Sequence, residues 1–598
     1  IRFALGGTIT LVGDGTAEAL PPLSEGDEID GEGQVVLSGI ALDRATTLWG
    51  LRITTSGCVV RGLAFEDMPG TVLHVQPPPG GTVAGTRIVG NRVTRPGVDA
   101  IRITAATLPV AGASVSGGRV EDTVISDNLV ESGTPGNLVS GFPAGAMNIM
   151  AAYGAAVGSL SGARVVDTVI ARNTIRDVFQ GVFARAAVGA AAMTDNAIEG
   201  LRVEDNLFER VNDQTLYVGA ATVQAGGASE GNAVRTLIIT RNVFRGRLLD
   251  PAAPYLGGGP FVSGGFLDGC AADAGTSSSV GDVTESVEIS DNTITDRAPY
   301  GIYVQGAQSC GGGGGTLTGS VVRNVLITRN TIEDCDTGIS FSGGSSFLTK
   351  GPVANEHNAI EDAAVVDNVV AGNALVGVEL IGGVSNGGEA SRNHIARVDI
   401  ADNTLAANHV AVAATAGVTI GAGDVARSNV LRDVTLRANQ IADSVATGVL
   451  VQGSTVVGNA DTEGNEVLAF EIADNALDRN GGVGLQILGA SVRDGMTAGG
   501  NVVGSPRILR NVIRDTSVAP DRGAQGIGIR LLAPGGTTIQ SAAIEGNVIE
   551  RVASVGIALV GTRGHVVRRN AVSGFGRKAL TGKRGNKVVK NRFRRRAG

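Results

Sequence analysis

Asp296, Asp334 and Arg329 are the residues whose types and spacing could best support catalysis in this chain. They lie on what we expect to be neighbouring repeats, beside Tyr300 and Tyr303. Two carboxyl groups can act as general acid and general base, and an arginine can neutralise an acidic sugar or stabilise developing charge. These three residues are the catalytic candidates on the ground of clustering alone, and the competing interpretation is that they are solvated turn residues.

Aromatic residues are concentrated in one part of the chain. All five tyrosines and nine of the fourteen phenylalanines lie between Phe142 and Phe347. Because sugar rings stack on exposed aromatic faces, Tyr255, Tyr300 and Tyr303 are the ligand-binding candidates. The competing interpretation is a role in the core, which is the position expected for phenylalanines that follow a repeated asparagine by two residues.

Metal and cofactor chemistry has little support in the sequence. The five histidines are scattered and no CxxC pair occurs, so no metal site is predicted. No cofactor is expected, although the sequence leaves room for a structural cation such as calcium. No run of about eighteen apolar residues is present, so we expect no transmembrane helix.

One asparagine recurs along almost the whole chain between two short apolar runs, as in FEIADNALD. From Asn403 to Asn547 it returns every 36 residues, and the last two intervals are 23 and 21 residues. Periods of about 20 to 50 residues are typical of solenoids, propellers and arrays. The shortest repeats fit one coil of a parallel β-helix, whereas a propeller blade needs about 40 to 45 residues. Gly-, Asn- and Ser-rich text in the longer repeats predicts loops or hairpins at one corner.

The repeated pattern I-x-x-N-x-I followed by G-I-x-V-x-G resembles the right-handed parallel β-helix, or pectin-lyase-like, superfamily. The opening IRFALGGTITLVGDGTAEALPPLSEGDEIDGEGQVVLSGI is similar to the first coils of β-helix regions in large bacterial secreted and surface proteins. This resemblance covers essentially the whole chain and implies an all-β solenoid of about sixteen coils, on the order of 75 Å long. It implies an extracellular or cell-surface location, although no signal peptide is present in this sequence. The fold hosts hydrolases, lyases, epimerases, adhesins and tail spikes, so it does not fix an activity.

The repeated asparagine is predicted to be structural. In a tight bend asparagine tolerates left-handed backbone geometry. Coils stacked about 4.8 Å apart allow successive asparagine side chains to hydrogen-bond along the axis as a ladder. The predicted ladder comprises Asn292, Asn330, Asn368, Asn403, Asn439, Asn475, Asn511 and Asn547.

Two of the four cysteines occupy nearly equivalent places in consecutive inserts. Cys270 lies 22 residues before Asn292, and Cys310 lies 20 residues before Asn330. Side chains one coil apart fall within the range that a disulfide requires. We predict a Cys270–Cys310 disulfide, which fits an oxidising compartment.

The repeat predicts a single domain over residues 1–598. Capping coils are expected at 1–60, irregular coils with long inserts at 61–350, regular 36-residue coils at 351–550, and short basic coils with a tail at 551–598. The last segment carries fourteen Lys and Arg and no acidic residue after Glu550, which leaves 35 basic against 57 acidic residues in the remainder. A charged cap, attachment to an anionic surface and self-association through coil ends are all consistent with this asymmetry. Nucleic acid is not expected, because aromatic residues are not interleaved with the basic ones.

The leading functional hypothesis is a non-catalytic extracellular or cell-surface scaffold for adhesion, glycan binding or assembly. It rests on the regular coils and on the absence of the polygalacturonase and alginate epimerase motifs. The alternative is a polysaccharide lyase, hydrolase or epimerase that acts on an acidic glycan in a groove formed by residues 130–350. In both cases the expected partner is a polysaccharide or a cell-surface component.

Overall fold

A computed structural model describes residues 1, 3, 6–13, 17–43, 45–131, 145–224, 226–246, 258–269, 277–297, 299–311, 315–347, 353–421, 423–457, 460–492, 498–517 and 526–595. In these residues the regular structure consists of β-strands. None of the described residues forms a helix long and apolar enough to cross a membrane. The chain divides into two compact units. Unit 1 comprises Ile1–Asp268 and Ala274–Pro299, and unit 2 comprises Gly269–Asp273 and Tyr300–Gly598.

Each unit is wound from coils that contribute strands to three parallel sheets, so the predicted right-handed parallel β-helix is confirmed. In one coil of unit 2, Val410–Thr419 lies in sheet II, Val425–Arg427 in sheet III, and Val430–Arg437 and Gln440–Ala442 in sheet I. Each strand pairs in parallel with the strand one coil further along. Short β-branched and aliphatic strands suit this arrangement, since every coil buries one face against the others.

Sheet II contains the longest strands. In unit 1 they are Trp49–Ile53, Thr71–Val75, Asp99–Thr107, Gly145–Gly154, Gln180–Gly189, Leu216–Gln224 and Pro260–Gly269. In unit 2 they are Tyr300–Gly311, Thr337–Phe347, Val376–Asn386, Val410–Thr419, Thr447–Val456, Val483–Leu488, Ser491–Val492, Ile527–Leu532, Val555–Val560 and Lys578–Thr581.

Sheet III is formed largely by the segments after each long strand, which the sequence analysis predicted to be loops or hairpins. In unit 1 its strands are Ser114–Ser116, Ser159–Ser161, Ala192–Thr194, Ala228–Glu230 and Ser277–Val280. In unit 2 they are Gly315–Thr318, Val353–Glu356, Glu389–Ser391, Val425–Arg427, Asp461–Glu463 and Ala498–Gly499.

Sheet I contributes two or three strand segments to most coils. In unit 1 they are Gly7–Thr10, Glu28–Ser38, Val59–Glu66, Thr82–Ala84, Arg87–Val89, Arg92–Thr94, Arg119–Glu121, Val124–Ser126, Leu129–Glu131, Arg164–Val166, Val169–Ala171, Thr174–Arg176, Ala197–Glu199, Arg202–Glu204, Leu207–Glu209, Ala233–Thr240, Val243–Arg245, Val283–Ser290 and Thr293–Thr295. In unit 2 they are Val321–Thr328, Thr331–Glu333, Ala359–Val366, Val369–Ala371, His394–Ala401, Thr404–Ala406, Val430–Arg437, Gln440–Ala442, Glu466–Ala473, Ala476–Asp478, Val502–Gly504, Arg507–Leu509, Val512–Arg514, Thr538–Gln540, Ala543–Glu545, Val548–Glu550, Val566–Arg568, Ala571–Ser573, Lys587–Val589 and Arg592–Arg594.

The asparagine ladder is present in both units. Within unit 2 each ladder asparagine donates from Nδ2 to Oδ1 of the next at 2.9–3.1 Å. Asn475, for example, also donates to the carbonyl oxygens of Leu436 and Ala473. These buried amides are satisfied by the coils before and after them, so the ladder ties each corner to its neighbours.

The backbone geometry at this corner differs from the expectation. The left-handed residue is the one before the asparagine, such as Asp402 at φ 57° or Arg510 at φ 55°, and another follows four residues after it, as at Asp443 with φ 56°. The asparagine itself is needed for its side-chain hydrogen bonds rather than for a positive φ. Charges also pair between coils at these positions: Nε of Arg510 donates to Oδ1 of Asp474 on the preceding coil at 2.8 Å.

A second ladder lies ten residues before the first. In unit 2, Asn358, Asn393, Asn429, Asn465 and Asn501 are joined from Nδ2 to Oδ1 at 3.0–3.3 Å. In unit 1, Asn196 donates to Asn232, which donates to Asp282 at 3.0 Å. This ladder closes the corner between sheets III and I, so a second corner is held by the same chemistry.

The cores are aliphatic with a few stacked rings. Phe208 and Phe244 are fully buried on adjacent coils of unit 1, and their ring planes are 5° apart with centroids 4.8 Å apart. Cys58 and Cys335 are buried thiols. Cys310 is disulfide-bonded. Cys270 lies outside the described residues, so the Cys270–Cys310 pairing stays a prediction.

Candidate functional site on the outward face of sheet II

The catalytic candidates from the sequence are turn residues of left-handed geometry. Asp296, in unit 1, has φ 53°, and Arg329 and Asp334, in unit 2, have φ 54° and 55°. Arg329 and Asp334 flank the sheet I strand Thr331–Glu333. Tyr300 and Tyr303 lie instead on sheet II, so the structure places this arginine and these tyrosines on different sheets.

The outward face of sheet II in unit 1 carries residues that the sequence analysis did not single out. Ile101 and Ile103 are buried in the core. Because side chains alternate along a strand, Arg102 between them points outward. The residues that pair in register with Arg102, on the strand before it and on the strands after it, form one row of outward-pointing side chains. This outward row contains His74, Arg102, Asn148, Phe183, Tyr217 and Phe261.

Arg102 is held by a carboxylate and by rings. Its Nε donates to Oδ2 of Asp99 at 2.6 Å, three residues earlier on the same strand. Its guanidinium carbon lies 6.0 Å from the centroid of the Trp49 ring and 6.0 Å from that of Tyr153. Cations at this distance from aromatic faces are attracted by the ring quadrupole. The arginine is therefore fixed in position with its charge close to planar apolar surfaces.

Arg185 lies two residues beyond the outward row on its strand. Its Nη2 donates to Oδ1 of Asn148 on the preceding coil at 3.0 Å, and its guanidinium lies 5.2 Å from the Phe183 ring centroid. No hydrogen-bond partner among the described residues reaches its buried Nε. Desolvation lowers the pKa of Arg185, while Asp99 and other acidic groups act to raise it. Arginine keeps its charge in proteins, so this is a desolvated cation with an unused donor.

Asp213 precedes the strand Leu216–Gln224 and accepts a hydrogen bond from Nε2 of Gln180 to Oδ2 at 2.9 Å. Desolvation raises the pKa of Asp213, the Gln180 hydrogen bond opposes the rise, and the negative charge of Asp268 adds to it. A carboxyl group whose protonated form is favoured in this way can serve as a general acid.

Tyr217 is 3% exposed although it belongs to an outward row. Its ring lies over its own strand, because a Cβ placed on Gly219 would be 2.6 Å from the tyrosine Oη. Glycine at 219 thus makes room for the hydroxyl, and Gly219 is the register partner of Arg185. Burial raises the pKa of Tyr217, and the charge of Arg185 lowers it. The phenol is accordingly a neutral donor at neutral pH.

His74 starts the outward row and is buried against the Trp49 ring, with centroids 4.6 Å apart. Burial lowers the pKa of His74 well below its ordinary value, and the positive charges of Arg102 and Arg52 lower it further. The imidazole is therefore neutral, and its Nε2 lies 3.3 Å from Oγ1 of Thr104.

In unit 2 the outward face of sheet II carries an acid and two tyrosines. The rings of Tyr300 and Tyr303 stack with centroids 4.4 Å apart and planes 15° apart. Ser340 pairs in register with Tyr303 and donates from Oγ to Oε2 of Glu379 at 2.9 Å. Burial raises the pKa of Glu379, and burial followed by the charges of Glu379 and Asp336 raises that of Tyr300. Tyr255, the third aromatic candidate, lies outside the described residues.

Several of the residues missed by sequence reasoning share a signal in the sequence. Arg102, Arg185 and Glu379 are charged side chains in strands that are otherwise mostly apolar, as in DAIRITAAT, QGVFARAAVG and VGVELIGG, whereas Asp213 lies before its strand and lacks this signal. Among the described residues no group of three or more His, Cys, Asp or Glu side chains could hold a metal ion. The arrangement in unit 1 instead offers two arginines, a carboxyl group with a raised pKa, a neutral phenol and aromatic walls.

No family model and no curated protein matches the sequence. Among solved structures, the chain resembles the periplasmic alginate epimerase AlgG at 11% identity and a TM-score of 0.29, over 79% of this chain and 84% of that one. It resembles the catalytic domain of a GH87 α-1,3-glucanase at 13% identity and a TM-score of 0.23, over 63% of this chain and 64% of that one. It resembles the DFA-IIIase of Arthrobacter chlorophenolicus at 11% identity and a TM-score of 0.24, over 68% of this chain and 84% of that one.

The expectation of a non-catalytic scaffold is contradicted by these comparisons, because all three of these proteins are named as enzymes. That expectation relied on the regular coils and on the missing polygalacturonase and alginate epimerase motifs. The likeness itself concerns the fold alone: the chain is a right-handed parallel β-helix.

Proposed function

We propose that the protein is a glycan-acting enzyme, a polysaccharide lyase, hydrolase or epimerase, whose substrate is an acidic polysaccharide. The proposed reaction site is the outward face of sheet II in unit 1. The observation that carries this proposal is the desolvated Arg185, whose Nε has no partner among the described residues while Asp213, with a raised pKa, lies on the next coil. Removing a charge from water costs free energy, so a desolvated charge in a protein indicates a functional site.

The two arginines favour an acidic sugar. A guanidinium presents donors in a planar fork that matches a carboxylate. Arg102 already uses its fork on Asp99, whereas Arg185 keeps one donor unused. Arg185 is therefore the proposed partner of the substrate carboxylate, and the rings of Phe183 and Tyr153 are proposed walls for the sugar.

The acid–base roles follow from the protonation states. In a hydrolase, protonated Asp213 would donate its proton to the leaving oxygen while water attacks the sugar carbon, and its raised pKa favours that protonated form. In a lyase, the ionised form of Asp213 would take the proton from the sugar carbon and then return it to the leaving oxygen. Neutral Tyr217 would donate a hydrogen bond to charge that develops on the substrate. Arg185 would stabilise that charge when it forms on the carboxylate, as in lyase and epimerase chemistry.

The sequence candidates keep a place in the proposal. Tyr300 and Tyr303 are proposed as a second sugar-stacking surface, in unit 2, and Asp296, Arg329 and Asp334 remain to be tested by substitution. No cofactor is proposed. A periplasmic or extracellular location is proposed, since an acidic polysaccharide would be met there and the disulfide at Cys310 fits an oxidising compartment.

The test is incubation with polygalacturonate, alginate and hyaluronate, and with dextran as a neutral control, followed by analysis of products. New reducing ends with an unsaturated uronate identify a lyase, and reducing ends without unsaturation identify a hydrolase. Inverted C5 configuration without chain cleavage identifies an epimerase. Turnover of dextran alone, or of no glycan in a wider panel, would refute the proposal.

A further inference from the structure

Arginines on sheet I usually pair with an acid one coil earlier. In unit 2, Arg479 reaches Asp443 at 2.8 Å, Arg510 reaches Asp474 at 2.6 Å, and Arg551 reaches Asp515 at 2.6 Å. In each case the two residues occupy the same left-handed turn position on successive coils. The positive charge of each of these arginines is therefore offset by a carboxylate next to it.

This pairing ends at Glu545. Arg568 and Arg569 share that one carboxylate, at 2.7 and 3.6 Å. Beyond Glu550 the chain contains no acidic residue. Within residues 577–595 the described lysines and arginines form no ion pair and are all exposed. They are Arg577, Lys578, Lys583, Arg584, Lys587, Lys590, Arg592, Arg594 and Arg595.

Four of these cations lie along one stretch of sheet I, and we call them the basic surface: Lys587, Lys590, Arg592 and Arg594. Register pairs Lys587 with Val566, Arg592 with Ala571 and Arg594 with Ser573, so these three cations have neutral neighbours on the preceding coil. The counterpart of Lys590 on that coil is Arg569, which is itself a cation. Lys590 occupies the turn position at φ 56° where upstream coils carry paired charges.

We propose that the basic surface binds a linear anionic polysaccharide and holds it independently of the reaction site. Arg592 and Arg594 are two residues apart on one strand, which separates them by about 6.6 Å. Guanidinium groups at this spacing can each take a carboxylate of an extended polymer. The remainder of the chain carries 57 acidic against 35 basic residues, so outside the proposed reaction site its net charge disfavours a polyanion.

A glycan fits this surface better than a nucleic acid or a membrane. Base stacking needs several exposed rings, and the stretch offers Phe593, which is 38% exposed and has the Lys583 ammonium 6.0 Å from its centroid. Insertion into a membrane needs an apolar face, which these strands lack. The choice of an acidic polymer rests on the proposed function, whereas the presence of an anion-binding surface does not.

The experiment measures binding of the full chain to immobilised polygalacturonate at low and high salt. The variant carries Lys587→Gln, Lys590→Gln, Arg592→Gln and Arg594→Gln. The control carries the same change in charge at paired arginines, through Arg397→Gln, Arg437→Gln, Arg479→Gln and Arg510→Gln. We expect the variant to bind about tenfold more weakly or worse, the control to bind like the wild type, and wild-type binding to fall with salt. Circular dichroism and Tm report whether either variant is misfolded. If one is, its four substitutions are tested singly instead.

Three outcomes would overturn the inference. They are equal binding by variant and wild type, loss of binding in the control instead, or tighter binding of wild type to phosphatidylserine vesicles or single-stranded DNA than to the glycan. Turnover of a short uronate oligosaccharide is measured in parallel. The variant should retain it, so failure of the reaction proposal and failure of this inference are read from different assays.

Discussion

The side-chain amide of Gln180 donates a hydrogen bond to the carboxylate of Asp213 one coil further along, with Nε2 and Oδ2 2.9 Å apart. The contact fixes the orientation of an acid that desolvation and the charge of Asp268 bias toward protonation. A purely structural acid would gain more from an arginine, as Asp474 does from Arg510. Gln180 thus positions Asp213 while the protonated form, which a general acid requires, stays favoured.

Replacement of Asp213 by Asn should increase stability at neutral pH. The folded pKa is raised, so the stability associated with the protonated acid is complete below the ordinary Asp pKa of about 3.9 and is lost as pH rises through the folded pKa. The asparagine side chain introduced by Asp213→Asn keeps an acceptor oxygen for Gln180 and removes the charge. Denaturant unfolding at pH 7 and pH 4 should show a gain at pH 7 that shrinks at pH 4.

The matched control is Asp474→Asn, for which we expect the change in stability to have the opposite sign. The hydrogen bond from Arg510 lowers the pKa of Asp474. The stability that this hydrogen bond contributes is present above the ordinary Asp pKa and is lost as pH falls through the folded pKa. Asp474→Asn should therefore lose a little stability at pH 7 and none at low pH. The account of Asp213 is wrong if both variants shift in the same direction.

Gly219→Ala should reduce turnover while leaving the protein folded. The new Cβ would lie 2.6 Å from the Tyr217 hydroxyl, so the ring must move. The backbone of Gly219 is not among the left-handed positions, so alanine is tolerated there. We expect kcat to fall several-fold with a small change in Tm. An unchanged kcat would show that the Tyr217 hydroxyl takes no part in the reaction.

Asn439→Ala should destabilise unit 2 by about 1–3 kcal/mol, because it leaves buried partners on both adjacent coils unsatisfied. The lost hydrogen bonds include those to Ile400 O and to Asn475 Oδ1 at 2.8 and 2.9 Å. Asn324→Gly is the control, because Asn324 is exposed at φ 56° and glycine adopts that geometry freely. Chemical unfolding followed by circular dichroism measures both. Equal effects would argue against the ladder as a source of stability.

Thiol counting tests the predicted disulfide. Unfolded protein without reductant should show two reactive thiols, from Cys58 and Cys335, and four after reduction. Peptide mapping should then join Cys270 to Cys310. Four thiols before reduction, or a mapped bridge to another cysteine, would rule out the pairing.

The parts of the fold that repeat could be predicted from the sequence, and the candidate site could not. The asparagine at the corner returns every 36 residues from Asn403 to Asn547, so periodicity revealed it. The second ladder has the same period and precedes the first by ten residues, at Asn393 and Asn429, and it was readable but overlooked.

The outward row in unit 1 lacks such a signal. Arg102, Asn148 and Tyr217 occupy the same register position on coils of different length, and each of these coils carries a different residue type there. Their proximity depends on strand register, which inserts of unequal length shift along the sequence. Asp334 and Arg329 were candidates because they cluster with Tyr300 and Tyr303 in the sequence, and both prove to be left-handed turn residues.

The most direct test of the central claim is kcat/KM on the acidic polysaccharide that the wild type turns over, measured for Arg185→Met, Asp213→Asn and Asp334→Ala, with Arg479→Gln as the control. Arg185 and Asp213 variants should each lose about a hundredfold or more, because they remove charge stabilisation and proton transfer. Asp334→Ala and the control should stay within about twofold on the same reasoning. Wild-type activity in the Arg185 and Asp213 variants together with inactivity in Asp334→Ala would contradict the account and move the site to the turns of sheet I.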